Sequence, residues 1–78
     1  MDSIRNDDKI CIGENIRRIR KEKGIGQTEL VRMVQLMGID ITRETLVKIE
    51  RGIQHIKVSQ FKAIKEALQT TYDELLKE

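Results

Sequence analysis

The sequence predicts an all-α domain built from five short helices. Among its 78 residues there is no proline, and no stretch alternates apolar and polar residues as a half-buried strand does. Three glycines, Gly24, Gly38 and Gly52, each follow a segment whose apolar residues recur with helical spacing. Because glycine readily adopts the left-handed conformation that ends many helices, these positions mark the ends of the first three helices.

The first two helices are predicted over Cys11–Lys23 and Gln27–Met37. Each contains apolar residues at the i, i+4 and i+7 positions of one apolar stripe. These residues are Ile12, Ile16 and Ile19 in the first helix and Leu30, Val34 and Met37 in the second. Residues 1–9 are polar and have no such stripe, so we expect a flexible N-terminal arm followed by a single domain at 10–78.

The third helix is predicted over residues 42–51, because the hydroxyl of Thr42 can cap it and Gly52 ends it. Ser59 is the expected cap of a fourth helix. Thr71 and Glu74 have the Thr-x-x-Glu spacing of a capping box, which begins a short fifth helix. The residues predicted to form the core of this bundle are Ile12, Ile16, Ile19, Leu30, Val34, Leu46, Ile49, Phe61, Ile64, Leu68 and Leu75.

Size and composition exclude several classes of protein. A 9.1 kDa chain leaves little volume for a substrate cleft. Its single histidine and single cysteine cannot supply a catalytic triad or a metal site, so we expect no enzyme activity, no metal and no cofactor. No apolar run approaches the ~18 residues of a membrane span, and nothing resembles a signal peptide. With Cys11 unable to form an internal disulfide, we expect a cytoplasmic protein.

The positive charge is concentrated in one segment. The formal net charge is only +2, but residues 14–23 carry five basic residues against two acidic ones, a net of +3. A basic helix face is suited to a polyanion such as nucleic acid, and it is equally compatible with an ordinary solvated helix. Charge alone therefore leaves the partner open.

Several segments together resemble the lambda-repressor-like helix-turn-helix family, also called Cro/repressor or XRE-type. They are Ile12-Gly13-Glu14-Asn15-Ile16-Arg17-Arg18-Ile19-Arg20, Gly24-Ile25-Gly26-Gln27-Thr28-Glu29-Leu30, Thr42-Arg43-Glu44-Thr45-Leu46-Val47-Lys48-Ile49-Glu50-Arg51-Gly52, and Ala67-Leu68 with Tyr72-Asp73-Glu74-Leu75-Leu76. The chain departs from the family in two ways. Gly26 stands where the family usually has serine, and the connection between the second and third helices is about five residues longer, within Gln35–Asp40.

The resemblance implies that the third helix enters the DNA major groove while the second crosses the backbone. The implied base contacts are Thr42, Arg43, Glu44, Thr45 and Lys48. The implied phosphate contacts are Arg17, Arg18, Gln27, Arg51, His55 and Lys57. The alternative for the third helix is a solvated face with an i,i+4 pair between Glu44 and Lys48.

An ion pair and an apolar loop are expected to serve the structure and the assembly of the protein. Arg20 and Glu50 resemble the family's ion pair between the first and third helices, so we interpret them as structural. The loop after the third helix is unusually apolar, because it contains Ile53, Ile56 and Val58. These three side chains either cap the core or contact a second copy of the chain.

The leading hypothesis is a sequence-specific DNA-binding transcriptional regulator, a repressor that binds a palindromic operator as a homodimer. The alternative is a protein-interaction module of the same fold, such as an antitoxin or a small adaptor with a protein partner. The elongated connection, the modest net charge and the apolar 53–58 loop favour the alternative. A continuous positive surface around the third helix would favour DNA.

Overall fold

A computed structural model describes the backbone of Ser3–Ile4 and residues 10–78. In these residues five helices follow one another along the chain, and two short strands pair with each other. The helices are α1 (Ile12–Glu22), α2 (Gln27–Leu36), α3 (Arg43–Glu50), α4 (Val58–Ala67) and α5 (Tyr72–Leu75). The strands are β1 (Ser3–Ile4) and β2 (Ile56–Lys57), which pair antiparallel with Ser3 opposite Lys57 and Ile4 opposite Ile56.

The all-α prediction is confirmed, since the small ladder is the only non-helical element in the described part of the chain. That ladder was not predicted, because two residues are too few to show an alternating pattern. Of the arm predicted at 1–9, Ser3 and Ile4 form β1, and the remaining residues lie outside the described part of the structure.

The N-terminal caps of α3 and α5 are those that the sequence predicts. The Thr42 hydroxyl accepts a hydrogen bond from the backbone N–H of Thr45 at 3.1 Å, and Thr71 does the same for Glu74 at 3.1 Å. The prediction that Ser59 caps the fourth helix is wrong. That helix begins one residue before Ser59, and its first turn is closed by the Lys57 N–H, which donates to the Gln60 side chain at 3.0 Å.

The C-terminus of α2 ends in a motif that requires a left-handed residue. Gly38 has φ +85°, and its N–H donates to the Gln35 carbonyl while the Ile39 N–H donates to the Val34 carbonyl. The C-terminus of α4 has the same bond pattern, but there the left-handed residue is Gln69, with φ +53°. Glutamine carries a Cβ that disfavours this conformation, so this helix end is strained.

All eleven predicted core residues are buried. The core also includes side chains that the periodicity did not place there, namely Val31, Ile41, Ile56, Ala63 and Ala67. Ile56 is only 2% exposed, so its assignment as a candidate dimer contact is wrong. Ile56 lies in β2, and its side chain is buried in the core of its own chain.

The C-terminal turn of the fold is hydrogen-bonded to α1. The side-chain amide of Asn15 donates to the backbone carbonyls of Leu75 at 2.8 Å and Lys77 at 2.9 Å. Leu75 itself is fully buried. The last turn of the described chain is therefore attached to the first helix, and the core is closed between them.

Candidate nucleic-acid interface

The outward face of α3 carries charged side chains that are exposed. Arg43, Glu44 and Lys48 are exposed, and among the described residues none of the three forms an ion pair. The Glu44–Lys48 pair of the solvated-face alternative is therefore not formed. Leu46 and Ile49 are buried on the opposite side and fix the rotation of the helix. The fold thus presents both signs of charge to an external partner.

The hydroxyls at the start of α3 are partly used by the helix itself. Thr42 caps the helix, and its hydroxyl also donates to the Thr45 hydroxyl oxygen at 3.0 Å. The Thr45 hydroxyl retains its own hydrogen for an outside acceptor. Of these two implied base contacts, Thr45 therefore keeps the greater capacity to bind a base edge.

Beside the N-terminus of α3 lies a cleft of ≈ 180 Å³, here called the N-terminal cleft. It brings together residues that were assigned separately from the sequence. Its lining residues are Asp40, Ile41, Thr42, Thr45, Gln54, His55, Lys57 and Gln60. Two implied base contacts and two implied phosphate contacts thus share one depression. Gln54 is a polar lining residue that the sequence analysis did not select.

A second depression lies at the other end of α3, with a volume of ≈ 580 Å³, and is here called the C-terminal groove. Its lining residues are Glu14, Asn15, Arg17, Arg18, Lys21, Glu50 and Arg51. Four of the seven side chains are basic and two are acidic, so the groove attracts anions. The structure places Lys21, which was not predicted as a site residue, beside Arg17 and Arg18 in this groove. The sequence signal for Lys21 was its i+4 spacing from Arg17, which places both side chains on the same face of α1.

The two neighbouring arginines on α1 differ in their surroundings. Arg17 is exposed and forms no ion pair within the described residues. Arg18 lies 3.4 Å from a carboxylate oxygen of Glu22 and 3.9 Å from one of Glu74. Because two acids already share the charge of Arg18, it attracts a phosphate less strongly than Arg17 does. Arg51 resembles Arg17, since it too is exposed and forms no ion pair with another described residue.

A buried network connects the helices behind this face. Arg20 donates to Glu50 through two hydrogen bonds, of 2.8 and 3.0 Å, and its third nitrogen donates to the Ile25 carbonyl at 2.9 Å. Gln27 donates to the same Glu50 carboxylate at 3.1 Å. The network ties α1, the start of α2 and the end of α3 together. Removing one partner would leave the other as an unpaired buried charge. The pair therefore fixes how these helices are arranged, whatever its net contribution to the free energy of unfolding.

Gln27, an implied phosphate contact, is therefore half-buried and already partnered. One N–H of its amide points to Glu50, and the second remains for an acceptor outside the protein.

Two apolar side chains after α3 are exposed. They are Ile53, in the loop, at 63%, and Val58, the first residue of α4, at 47%. Unlike Ile56, these two are accessible to another molecule.

Comparisons with known proteins agree with this arrangement. The family model described as helix-turn-helix matches residues 16–75. The chain belongs to the lambda-repressor-like helix-turn-helix family. As a member of this family, it is a DNA-binding transcriptional regulator.

Solved structures with the same fold include two that cover most of the chain. One is the restriction-modification controller protein C.AhdI from Aeromonas hydrophila, with 26% identity, 85% of this chain and 92% of that chain covered, and a TM-score of 0.71. The other is the hypothetical transcription factor NHTF from Neisseria, with 30% identity, 90% and 75% covered, and a TM-score of 0.71. A comparison with curated protein sequences gives no match. In the described residues of this helix-turn-helix regulator, no helix is long and apolar enough to cross a membrane.

Proposed function

We propose that this helix-turn-helix regulator reads base edges in the DNA major groove with α3 and represses transcription by occupying its operator. The observation that carries the proposal is the exposed face of Arg43, Glu44 and Lys48, whose charges have no partners in the described structure. In this motif the residues near the start of the third helix face the bases.

The chemistry of these side chains fits the donors and acceptors of base pairs. The Arg43 guanidinium matches the two acceptors of guanine, O6 and N7, and the Glu44 carboxylate can accept from the N4 amino group of cytosine. Lys48, further along the helix, reaches either a base or a phosphate. A face with both signs of charge suits base recognition, whereas phosphate binding alone would need only positive charge.

The two depressions beside α3 supply the sequence-independent part of the binding. Lys57 and His55 at the N-terminal cleft, and Arg17 and Arg51 at the C-terminal groove, flank the reading face at its two ends. Backbone phosphates on either side of a major groove are therefore the proposed partners of these four residues. Such contacts position the protein without reading sequence.

We further propose that two copies act together on a palindromic operator. A single module of this kind buries only about 600–1,000 Å² on DNA, which is little for locating one site in a genome. Two apolar side chains after α3 are exposed, Ile53 in the loop and Val58 at the first position of α4, and they are the proposed contact between the copies. Two-fold symmetry then requires half-sites about 10 base pairs apart.

Selection of bound sequences from random duplex DNA, followed by a salt titration of the selected duplex, tests the proposal. Each neutralised phosphate contributes about −0.9 to the slope of log K against log salt concentration, so two domains with three or four contacts each should give roughly −5 to −7. A palindromic consensus with this slope supports the proposal. A near-zero slope, or no duplex binding at low salt, would indicate a protein-interaction module instead.

A further inference from the structure

We infer that Gln35 and Gln60 are positioning residues that hold the long connection between α2 and α3 in the conformation needed for base readout. The inference rests on the proposed function, because it concerns how α3 is presented to DNA. Neither residue lies on the exposed face of α3. Each acts through the backbone just before the Thr42 cap.

The two glutamines bind consecutive carbonyl groups of the connection. The Gln35 amide, near the end of α2, donates to the Ile41 carbonyl at 2.8 Å. The Gln60 amide, on α4, donates to the Asp40 carbonyl at 3.1 Å. These carbonyls immediately precede Thr42, so the two bonds fix the direction in which the chain enters α3. The Ile41 side chain, buried in the core, anchors the same point from inside.

Gln60 is bonded at both ends of its amide. The residue is 6% exposed, its side-chain nitrogen donates to the Asp40 carbonyl, and its side-chain oxygen accepts from the Lys57 backbone N–H at 3.0 Å. The one side chain thus joins the segment before α3 to the segment after it, across the N-terminal cleft. A buried group with this pair of partners must both donate and accept, which an amide does and a carboxylate or thioether does not.

The connection needs such support because it is long. Five residues separate the end of α2 at Leu36 from the cap of α3 at Thr42, and the Gly38 motif orders only the first part. Without the two amide donors, the Asp40 and Ile41 carbonyls lose their side-chain partners, and the segment gains other conformations. Bidentate base contacts depend on direction, whereas phosphate attraction tolerates small displacements. Loosening the connection should therefore reduce specific binding more than non-specific binding.

Gln60→Glu removes only one of the bonds. The carboxylate keeps the size of the side chain and still accepts from Lys57, but it cannot donate to the Asp40 carbonyl. The added negative charge weakens DNA binding by itself, so Ser59→Asp is the charge-matched control. Ser59 precedes Gln60 on α4, is exposed, lies outside both depressions that flank α3, and makes no side-chain hydrogen bond within the described residues. Gln35→Met adds a second, uncharged test at an exposed helix position, where folding should be preserved.

The measurement is the ratio of affinities for the selected operator and for random duplex DNA, with full-length protein. We expect Gln60→Glu and Gln35→Met each to lower this ratio by about tenfold, the effect of one directional hydrogen bond, while Ser59→Asp leaves it unchanged. Hydrogen exchange of the backbone amides at 37–42 should be faster in Gln60→Glu and Gln35→Met and unchanged in Ser59→Asp.

Unchanged ratios in folded Gln60→Glu and Gln35→Met would overturn the inference. If Gln60→Glu does not fold, Gln35→Met decides alone. A wild-type protein that does not distinguish the selected duplex from random DNA would contradict the proposed function. In that case hydrogen exchange decides the positioning role: faster exchange at 37–42 in the folded variants supports it, and unchanged exchange overturns it.

Discussion

The backbone of Gly13 in α1 packs directly against the backbone carbonyl of Ile49 in α3. A Cβ at position 13 would collide with that carbonyl oxygen and would lie 3.0 Å from the Cα of Glu50. The missing side chain therefore sets how closely the two helices approach. This close approach allows the Arg20 guanidinium on α1 to reach both oxygens of the Glu50 carboxylate.

Gly13→Ala should destabilise the domain by about 1–3 kcal/mol, because α1 and α3 must separate to admit the methyl group. The intrinsic preference of alanine for helices, about 1 kcal/mol, acts in the opposite direction and is outweighed. Urea denaturation followed by circular dichroism measures the difference in the free energy of unfolding. An equal or greater stability of the variant would show that the two helices can adjust without cost.

Gln69→Gly should stabilise the domain by about 0.5–1 kcal/mol. Glycine relieves the left-handed backbone strain of about 1–2 kcal/mol, and its greater freedom in the unfolded chain offsets part of the gain. Gly38→Ala is the reciprocal control, since a Cβ there meets nothing within 4 Å and only backbone strain is added. The midpoints of denaturant unfolding should move in opposite directions. Movement in the same direction would contradict the strain argument.

Arg43→Ala should cost about 1–3 kcal/mol of specific DNA binding and relax the preference at one base pair. Its affinity for random duplex should change much less. Lys62→Ala is the charge-matched control, because Lys62 is exposed on α4 beside Met37 and Ile39, away from both depressions that flank α3. Titrations against selected and random duplexes give both affinities. Equal losses on the two would exclude Arg43 from base readout.

Ile53→Asp should leave the domain folded and abolish cooperative filling of the two half-sites. The residue is exposed, so a charge there is solvated in the single chain but disfavoured in an apolar contact between copies. Ile56→Asp should instead unfold the domain, because it places an unpaired carboxylate in the core. Thermal melting separates these two outcomes, and a mobility-shift titration measures cooperativity. Full cooperativity of folded Ile53→Asp would place the contact elsewhere.

The fold was predictable because each helix boundary is determined by residues close to it in the sequence. Apolar spacing, the Thr42 and Thr71 caps and the glycines at the helix ends lie within a few residues of what they determine. The errors occur where the determining contact is distant in sequence. Ile56 looked like a surface residue of an apolar loop, and only its place in β2 shows that it is buried. Ser59 is a good capping residue, but Gln60 closes that turn.

The candidate site was predictable in part for the same reason. The exposed charges of α3 follow from the helix period once Leu46 and Ile49 are assigned to the core. The roles of Gln35 and Gln60 could not be found in this way. Their partners are backbone carbonyls six and twenty residues away, and a bond from a side chain to a distant carbonyl leaves no pattern in the sequence.

The attachment of the last turn to Asn15 has a consequence for how the protein is made. The carbonyls that Asn15 binds belong to Leu75 and Lys77, sixty and sixty-two residues further along the chain. During translation α1 is synthesised well before α5, so the hydrogen-bond partners of Asn15 leave the ribosome much later than Asn15 does. The nascent chain can form its early helices and local caps, but the core between α1 and α5 stays open until residue 77 has left the exit tunnel. Closure of this fold therefore follows the synthesis of α1 by about sixty residues, and a nascent chain stalled before Leu75 exposes the core to proteases and chaperones.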